Sequence, residues 1–315
     1  PFMLDVPLAP VIGVTVVKEQ IWNRISAEDQ RILRASATRL ETQLRKDAPA
    51  LESHGRCPVC EQEAMFASAD SWLRDGFKCS TCGSVPRERA MMRVLAQLAP
   101  HWRELALHES SGCSVSSNRL REQCRGYVAT QYDPATPWGE THPHGYRSED
   151  LEAQTFADET FDIVVTQDVF EHLFAPDRAI SEIARTLKPG GFHICTVPIV
   201  RKAAPSVRRA RRRRDGSVEH LAEPEYHGNP MDPDGALVTI DWGYDIADYL
   251  DRASGLSTTI HTIDDLRQGI RAEFIEVLVS QKSHQSQITP DGAPDGRRGR
   301  TLRRFREILR RPLPT

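Results

Sequence analysis

Between residues 86 and 282, short apolar segments alternate with amphipathic helical segments, and this alternation allows few folds. The segment FDIVVTQDVF, residues 161–170, is apolar on both faces, as a strand in the middle of a parallel sheet is. Similar strands are predicted at LALHES, YVATQY and GFHICTVPIV, with helical segments between them. The pattern therefore predicts an α/β fold with a doubly wound parallel sheet.

Three further strands have weaker signals in the sequence. The segment HGYRSED, residues 144–150, predicts a short strand after a linker rich in Pro, Gly and His. STTIHTID and EFIEVLVSQK lie close together near the end of the pattern, so we expect them to pair antiparallel.

Four cysteines in two CxxC pairs precede this region. The pairs are separated by eighteen residues, a spacing that is typical of a four-thiolate zinc site; the cysteines are Cys57, Cys60, Cys79 and Cys82. Because protein sulfurs would fill all four coordination positions, we expect the Zn²⁺ to be structural, in a small zinc-ribbon-like module. Disulfide bonds are the weaker alternative.

The stretch FADETFDIVVTQDVFEHLFAPDRAISEIARTLKPGGFHICTVP, residues 156–198, resembles the class I S-adenosylmethionine-dependent methyltransferases. Within that family it is most similar to the branch with Glu171-His172 after the fourth strand and LKPGG at 187–191. The resemblance implies a Rossmann-like, seven-stranded sheet with an antiparallel last strand. It also implies S-adenosylmethionine as cofactor and methyl transfer as the activity.

The loop after the first strand differs from the family pattern. The usual acidic residue is present as Glu109, but Ser110, Ser111 and Gly112 follow where the family has spaced glycines. Small residues still allow close approach, and serine hydroxyls can bind a carboxylate. We interpret it as an altered cofactor loop; the alternative is a plain strand-to-helix turn in a protein that lacks activity.

The resemblance implies cofactor contacts at the ends of four strands. The methionine end would meet the first loop, the ribose the second strand, adenine the third strand and the sulfonium the fourth. The candidates are Glu109, Ser110, Ser111, Gly112, Gln131, Asp133, Glu149, Asp150, Leu151, Gln167 and Asp168.

Three residues are candidates for the base that removes a proton from the acceptor: His172, His227 and Asp241. His227 and Asp241 belong to the segments EPEYHGNP and TIDWGYD, which precede the final strands, where this family builds its acceptor pocket. Their His, Asn, Asp and aromatic residues suit a sugar. Together with the zinc module, these segments resemble bacterial methyltransferases of cell-surface glycan assembly, which implies O-methylation of a saccharide or glycolipid. An ordinary polar loop is the alternative.

The charge is unevenly distributed. The net charge is −3, yet residues 201–214 hold eight Lys or Arg and residues 297–311 hold eight Arg. The remaining acidic body is a poor platform for nucleic acid, which disfavours the alternative of an RNA methyltransferase. The first basic run would attract an anionic acceptor, with a solvated, mobile loop as the alternative. The second resembles a weak interfacial helix that contacts an anionic membrane near a lipid-linked acceptor, with a disordered tail or an RNA contact as the alternatives.

These features predict a helical segment at 1–50, a zinc module at 51–86 and a methyltransferase domain at 87–282. Residues 201–245 form a substrate-side insertion within that domain, and a basic, disordered tail follows at 283–315. The start of the sequence lacks a basic leader, so we expect a cytoplasmic protein, peripheral at the inner membrane face. A non-catalytic, zinc-scaffolded binding protein is the third alternative.

Overall fold

The computed structural model describes residues 51–284 apart from Asp70, Pro230 and Met231, together with Ser26 and residues 28–31. The sequence SAEDQRILRASATRLETQLRK, residues 26–46, has the pattern of an amphipathic helix. It is described only at its start, where the Ser26 hydroxyl accepts a hydrogen bond from the Asp29 backbone N–H at 3.1 Å, as an N-cap does. The rest of that helix and the basic segment at 297–311 lie outside the described residues.

The two CxxC pairs lie on a small antiparallel sheet. Its strands pair in the order β1-β2-β3, and each CxxC pair lies in a turn beside a strand end. A residue with positive φ follows each pair, Glu61 at 59° and Gly83 at 77°, and closes the turn. The elements are β1 (Leu51–Arg56), β2 (Glu63–Ser68), α1 (Leu73–Gly76) and β3 (Lys78–Cys79).

A seven-stranded sheet forms the centre of the fold. The spatial order is β15-β16-β8-β7-β4-β5-β6, and every neighbouring pair is parallel except those that involve β16. This confirms the predicted doubly wound sheet with an antiparallel last strand. The strands are β4 (Ala106–Ser110), β5 (Gly126–Gln131), β6 (Arg147–Ser148), β7 (Phe161–Gln167), β8 (Leu187–Thr196), β15 (Ser257–His261) and β16 (Val277–Gln281).

Two hydrophobic cores cover the two faces of this sheet. On one face, α4 and α5 pack with Phe170, Trp242 and Leu278. On the other, residues of the cysteine module share one core with α2 and the sheet, so Phe66 and Phe77 pack in the same cluster as Ile163. The helices are α2 (Pro86–Leu98), α3 (Val115–Gln123), α4 (Pro176–Thr186) and α5 (Ile246–Ser254), with 3₁₀ turns at Trp102–Glu104 and Leu266–Gln268.

The segment between β8 and α5 folds into small antiparallel pairs. β10 pairs with β11, β12 with β13, and β14 with β9. These strands are β9 (Val207–Arg208), β10 (Ala210–Arg212), β11 (Val218–His220), β12 (Tyr226–Asn229), β13 (Asp232–Leu237) and β14 (Ile240–Asp241). Among the residues that the structure describes, no helix has the length and apolar character needed to cross a bilayer.

Candidate active site and metal centre

The direction of the chain reverses across the sheet between β4 and β7. From β4 the chain proceeds outward to β5 and β6, and it then returns to the other side of β4 to form β7 and β8. In open α/β sheets a ligand binds outside the carboxyl ends of the strands at such a reversal. The loops after β4, β5, β6 and β7, where the predicted cofactor residues lie, meet at this edge.

The loop after β4 is held by its own packing. The Ser111 N–H donates to the Thr130 carbonyl at 2.9 Å, and Ser111 has a φ of 63°. The Ser114 hydroxyl then caps α3 by accepting the Ser117 N–H. A Cβ at Gly112 would lie 2.6 Å from a Glu109 carboxylate oxygen, so internal packing requires the single glycine of this loop.

The Glu109 carboxylate fixes that loop through hydrogen bonds to three surrounding side chains. It is fully buried and accepts hydrogen bonds from Ser117 Oγ at 2.8 Å, Tyr127 Oη at 2.7 Å and Gln167 Nε2 at 2.8 Å. Burial raises the pKa of Glu109, although these three bonds work in the opposite direction. Glu109 and Gln167 were predicted to contact the cofactor, and the structure shows both fixing the loop through their side chains.

The ribose candidates lie at the end of β5. Gln131 is the last residue of the strand, and Asp133 follows in a turn. The Asp133 carboxylate accepts hydrogen bonds from Thr136 Oγ1 at 2.7 Å and Tyr146 Oη at 2.9 Å. These bonds lower the pKa of Asp133, so this carboxylate is held ionised at the edge of the sheet.

The adenine candidates follow β6 and divide into two roles. Glu149 is buried and accepts bonds from Arg147 Nε at 2.7 Å and the Thr155 N–H at 2.8 Å, so its carboxylate belongs to an internal network. Asp150 is partly exposed, and Leu151 is buried in the core beside it. Of this group, Asp150 is the residue that the structure leaves accessible.

Asp168, directly after β7, is bound by two arginines from the amino-terminal part of the chain. Arg74 Nη2 lies 2.8 Å and Arg87 Nε 3.0 Å from the same Asp168 oxygen, while Thr196 Oγ1 donates to the other at 3.2 Å. The Arg74 side chain is 10% exposed and also donates to the Phe274 carbonyl. The cysteine module is therefore tied to the edge of the sheet at the predicted sulfonium position.

Glu171, His172 and His227 form a cluster beyond the end of β7. Glu171 Oε1 lies 3.7 Å from His172 Nε2 and 3.9 Å from His227 Nδ1. The His172 and His227 rings meet edge to face, with their centroids 5.2 Å apart. Burial first, and then the charge of Asp168, hold the pKa of Glu171 well above its ordinary value, and burial lowers the pKa of His172.

The third predicted base has another partner. Asp241 lies 2.9 Å from Arg209 Nη1, and the structure pairs it with that guanidinium rather than with the two histidines. Its neighbour Trp242 is buried in the core against Tyr249, which corrects the expectation that this aromatic ring faces the acceptor. Tyr226, next to His227, is exposed.

A basic cavity of about 520 Å³ lies next to the adenine candidates. Its walls come from the loop after β6, the start of α4 and the basic run of the insertion; they are Asp150, Glu152, Phe174, Ala175, Arg178, Arg208, Arg211, Arg212 and Arg213. Arg208 donates to the Phe174 carbonyl at 3.0 Å, and Arg212 lies over the Phe174 ring at 4.7 Å. The volume falls in the usual range of ligand pockets.

The four cysteine sulfurs have the spacing of a tetrahedral zinc site. Cys57 and Cys82 Sγ are 3.9 Å apart, Cys60 and Cys79 Sγ are 4.0 Å apart, and all four lie within 4.8 Å of one another. A tetrahedron with Zn–S bonds of 2.3 Å places its sulfurs about 3.8 Å apart. The donor set and the spacing both fit Zn²⁺, and the four sulfurs leave no position open for catalysis.

The sequence model of the methyltransferase-domain family matches residues 109–195, from the end of β4 to the end of β8. These residues, less than a third of the chain, thus match a methyltransferase domain. A ubiquinone/menaquinone biosynthesis C-methyltransferase of Hydrogenovibrio crunogenus is 29% identical over 125 residues, which are 35% of this chain and 49% of that protein. The chain thus spans about half the length of this relative.

Solved structures of low sequence identity resemble the methyltransferase domain. An S-adenosylmethionine-dependent methyltransferase from Mesorhizobium loti is 13% identical with a TM-score of 0.40, over 61% of this chain and 98% of that one. The 1,6-didemethyltoxoflavin-N1-methyltransferase of Burkholderia thailandensis, solved with 1,6-didemethyltoxoflavin and S-adenosylhomocysteine, is 17% identical with a TM-score of 0.36. That similarity covers 62% of this chain and 79% of that one.

Two features of the methyltransferase domain are not evident from the sequence. Arg74 and Arg87 reach Asp168 across more than eighty residues, and no local pattern marks them. Glu171 was visible as part of the Glu171-His172 pair, but only its burial and its approach to His227 show that its carboxylate faces two imidazoles. A buried acid next to a histidine, on the predicted acceptor side, is the signal that could have identified it.

Proposed function

We propose that this protein transfers a methyl group from S-adenosylmethionine to a hydroxyl group of a saccharide or glycolipid. The observation that carries the proposal is the convergence of Glu171, His172 and His227 beside the carboxyl end of β7, within and next to the segment that matches the methyltransferase family. Methyl transfer to oxygen needs an acceptor aligned with the sulfonium and a group that removes its proton.

The residues at the sheet edge fit a nucleoside cofactor. The backbone of Ser110–Gly112, which packs against the Glu109 carboxylate, would contact the methionine end of the cofactor. Asp133 holds an ionised carboxylate, and its Oδ1, which accepts the Ala135 N–H at 3.2 Å, can accept a further hydrogen bond from a ribose hydroxyl. Asp150 would accept the adenine amino group. When bound, the cofactor supplies a methyl group on a positively charged sulfur.

The Glu171 cluster would act on the acceptor hydroxyl. Burial raises the pKa of Glu171, so its carboxylate is a stronger base than an exposed glutamate. As the O–H proton passes to the cluster, the acceptor oxygen bonds to the methyl carbon. The carbon–sulfur bond breaks, and its electron pair stays on sulfur.

The acceptor proposal rests on the groups around the cluster. The exposed ring of Tyr226 can stack on a sugar, and the arginines of the basic cavity favour an acceptor that carries an anionic group. A lipid-linked saccharide would satisfy both features, with the basic segment at 297–311 at the membrane surface. We propose a cytoplasmic reaction, because reduced thiols are maintained there for the four-cysteine zinc site.

Two measurements test this function in order. Titration calorimetry should detect S-adenosylhomocysteine binding to the wild-type protein, and the absence of heat at millimolar ligand contradicts the enzymatic proposal. A panel of phosphorylated and acidic saccharides is then assayed for S-adenosylhomocysteine release. Glu171→Gln should lower the rate by about 10²–10⁴-fold while S-adenosylhomocysteine binding remains. The matched control is Glu122→Gln, on the exposed side of α3.

A further inference from the structure

The carboxylate of Glu171 is buried without a hydrogen-bond partner. The residue is 2% exposed, and neither of its oxygens has a hydrogen-bond donor among the described residues. A buried, unpaired carboxylate is strongly unfavourable unless it is protonated or a positive group or donor compensates it. Two imidazoles lie within 4 Å of Glu171 Oε1, that of His172 at 3.7 Å and that of His227 at 3.9 Å.

We propose that Glu171, His172 and His227 bind a divalent transition-metal ion, separate from the four-cysteine zinc site. One ligand atom from each residue lies within 4.8 Å of the others. Ligand atoms bound to one tetrahedral ion at about 2.1 Å lie roughly 3.4 Å apart. The observed separations of 3.7 and 3.9 Å are only slightly wider, so a small inward movement of the side chains closes the site.

The neighbouring groups orient these ligands as they do in metal sites. His172 Nδ1 lies 2.9 Å from the Leu237 carbonyl, to which it can only donate, so Nε2 carries the lone pair and faces Glu171. The Thr239 N–H, at 2.7 Å, donates to the Glu171 carbonyl and fixes the backbone at this point. His227 is placed by β12, where it pairs with Ala236 of β13.

The donor set indicates which ions would bind. Two imidazoles and one carboxylate suit Zn²⁺, Mn²⁺, Fe²⁺ or Co²⁺ better than Mg²⁺ or Ca²⁺, which prefer oxygen ligands. Three protein ligands leave at least one coordination position open, in contrast to the closed four-cysteine site. The open position is available to an oxygen of a second molecule.

The role of this ion rests on the proposed methyl transfer. An acceptor hydroxyl bound to the ion becomes more acidic, so its proton leaves to water and its oxygen stays on the ion. That oxygen then bonds to the methyl carbon, and the carbon–sulfur bond breaks with its electron pair on sulfur. In this scheme Glu171, His172 and His227 act as metal ligands, and the proton that the metal-free cluster would accept leaves to water instead.

Zinc content after dialysis tests the site directly. Protein isolated with its four-cysteine zinc is dialysed against buffered Zn²⁺, and metal per chain is measured by mass spectrometry. We expect about two zinc ions per chain for wild type and about one for His227→Asn or Glu171→Gln. His227 lies on a small hairpin and its side chain is 38% exposed, so its replacement should leave folding intact. The control His101→Asn, at an exposed position, should keep about two.

The result separates this inference from the proposed function. About one zinc ion in wild type, or about two in His227→Asn, overturns the metal site. Zinc binding at the cluster without S-adenosylhomocysteine binding keeps the metal site and rejects methyl transfer. S-adenosylhomocysteine binding together with about one zinc ion per chain keeps the proposed methyl transfer and rejects the metal site at the cluster.

Discussion

Two fully buried histidines in the central sheet should make the stability of this protein depend on pH. His108 of β4 and His193 of β8 lie in one row across the sheet, since each is in register with Val164 of β7. Each Nε2 lies 2.9 Å from a threonine hydroxyl, and each Nδ1 has no hydrogen-bond partner among the described residues. Burial lowers the pKa of both to about 3.

The sign follows from the two protonation states. A folded-state pKa of about 3 lies below the unfolded value of about 6.5, so the unfolded chain binds more protons between these values. The stabilisation is therefore complete above pH 6.5 and is lost as the pH falls below it. From pH 7.5 to 5.5 each histidine should lower the free energy of unfolding by about 1.4 kcal/mol, and the pair by about 2.7 kcal/mol.

Urea denaturation at pH 7.5 and 5.5, followed by tryptophan fluorescence, measures this loss. His108→Leu and His193→Leu should each reduce the pH-dependent loss by about 1.4 kcal/mol, whatever their effect at pH 7.5. His101→Leu, at an exposed site, should leave it unchanged. Single variants with the wild-type pH dependence would show that the charged imidazoles are accommodated in the fold, which refutes the reasoning.

Three further outcomes follow from particular contacts. Gly112→Ala should lower the free energy of unfolding by about 1–3 kcal/mol, because its Cβ would lie 2.7 Å from Tyr127 Oη; a wild-type midpoint in urea contradicts the packed loop. Cys79→Ser should prevent Zn²⁺ binding at the four-cysteine cluster and lower the melting temperature of the whole protein, since the module shares a core with the sheet. A separate low-temperature transition in calorimetry argues against this. Arg74→Met should lower the free energy of unfolding by about 1–3 kcal/mol, whereas Arg267→Met, 76% exposed, should not.

Much of the fold could be predicted because its signals are local. The apolar segment at 161–170 predicted a central strand, and the structure has β7 at Phe161–Gln167. The four cysteines were predictable for the same reason, since the CxxC spacing itself forms the turn that brings two sulfurs together. The LKPGG segment begins β8, because α4 already ends at Thr186.

The roles of the acidic residues could not be predicted from their positions at strand ends. Glu109 and Glu149 come directly at strand ends, where the family resemblance places cofactor contacts, yet their carboxylates bind neighbouring side chains inside the protein. A sequence shows which residue follows a strand but not which partners surround its side chain. The same limit applies to Trp242, whose burial depends on packing against α5.

The sequence alone determined the sheet, the four-cysteine cluster and the resemblance to methyltransferases, because periodicity, short spacings and a continuous motif are properties of neighbouring residues. Only the tertiary structure brought Arg74 to Asp168 and His227 to Glu171. These contacts join residues that are distant in the chain, and their formation depends on how two hydrophobic cores hold the cysteine module and the insertion against one sheet edge. Tertiary packing therefore determines which side chains meet at the site, and a local sequence pattern does not show this packing.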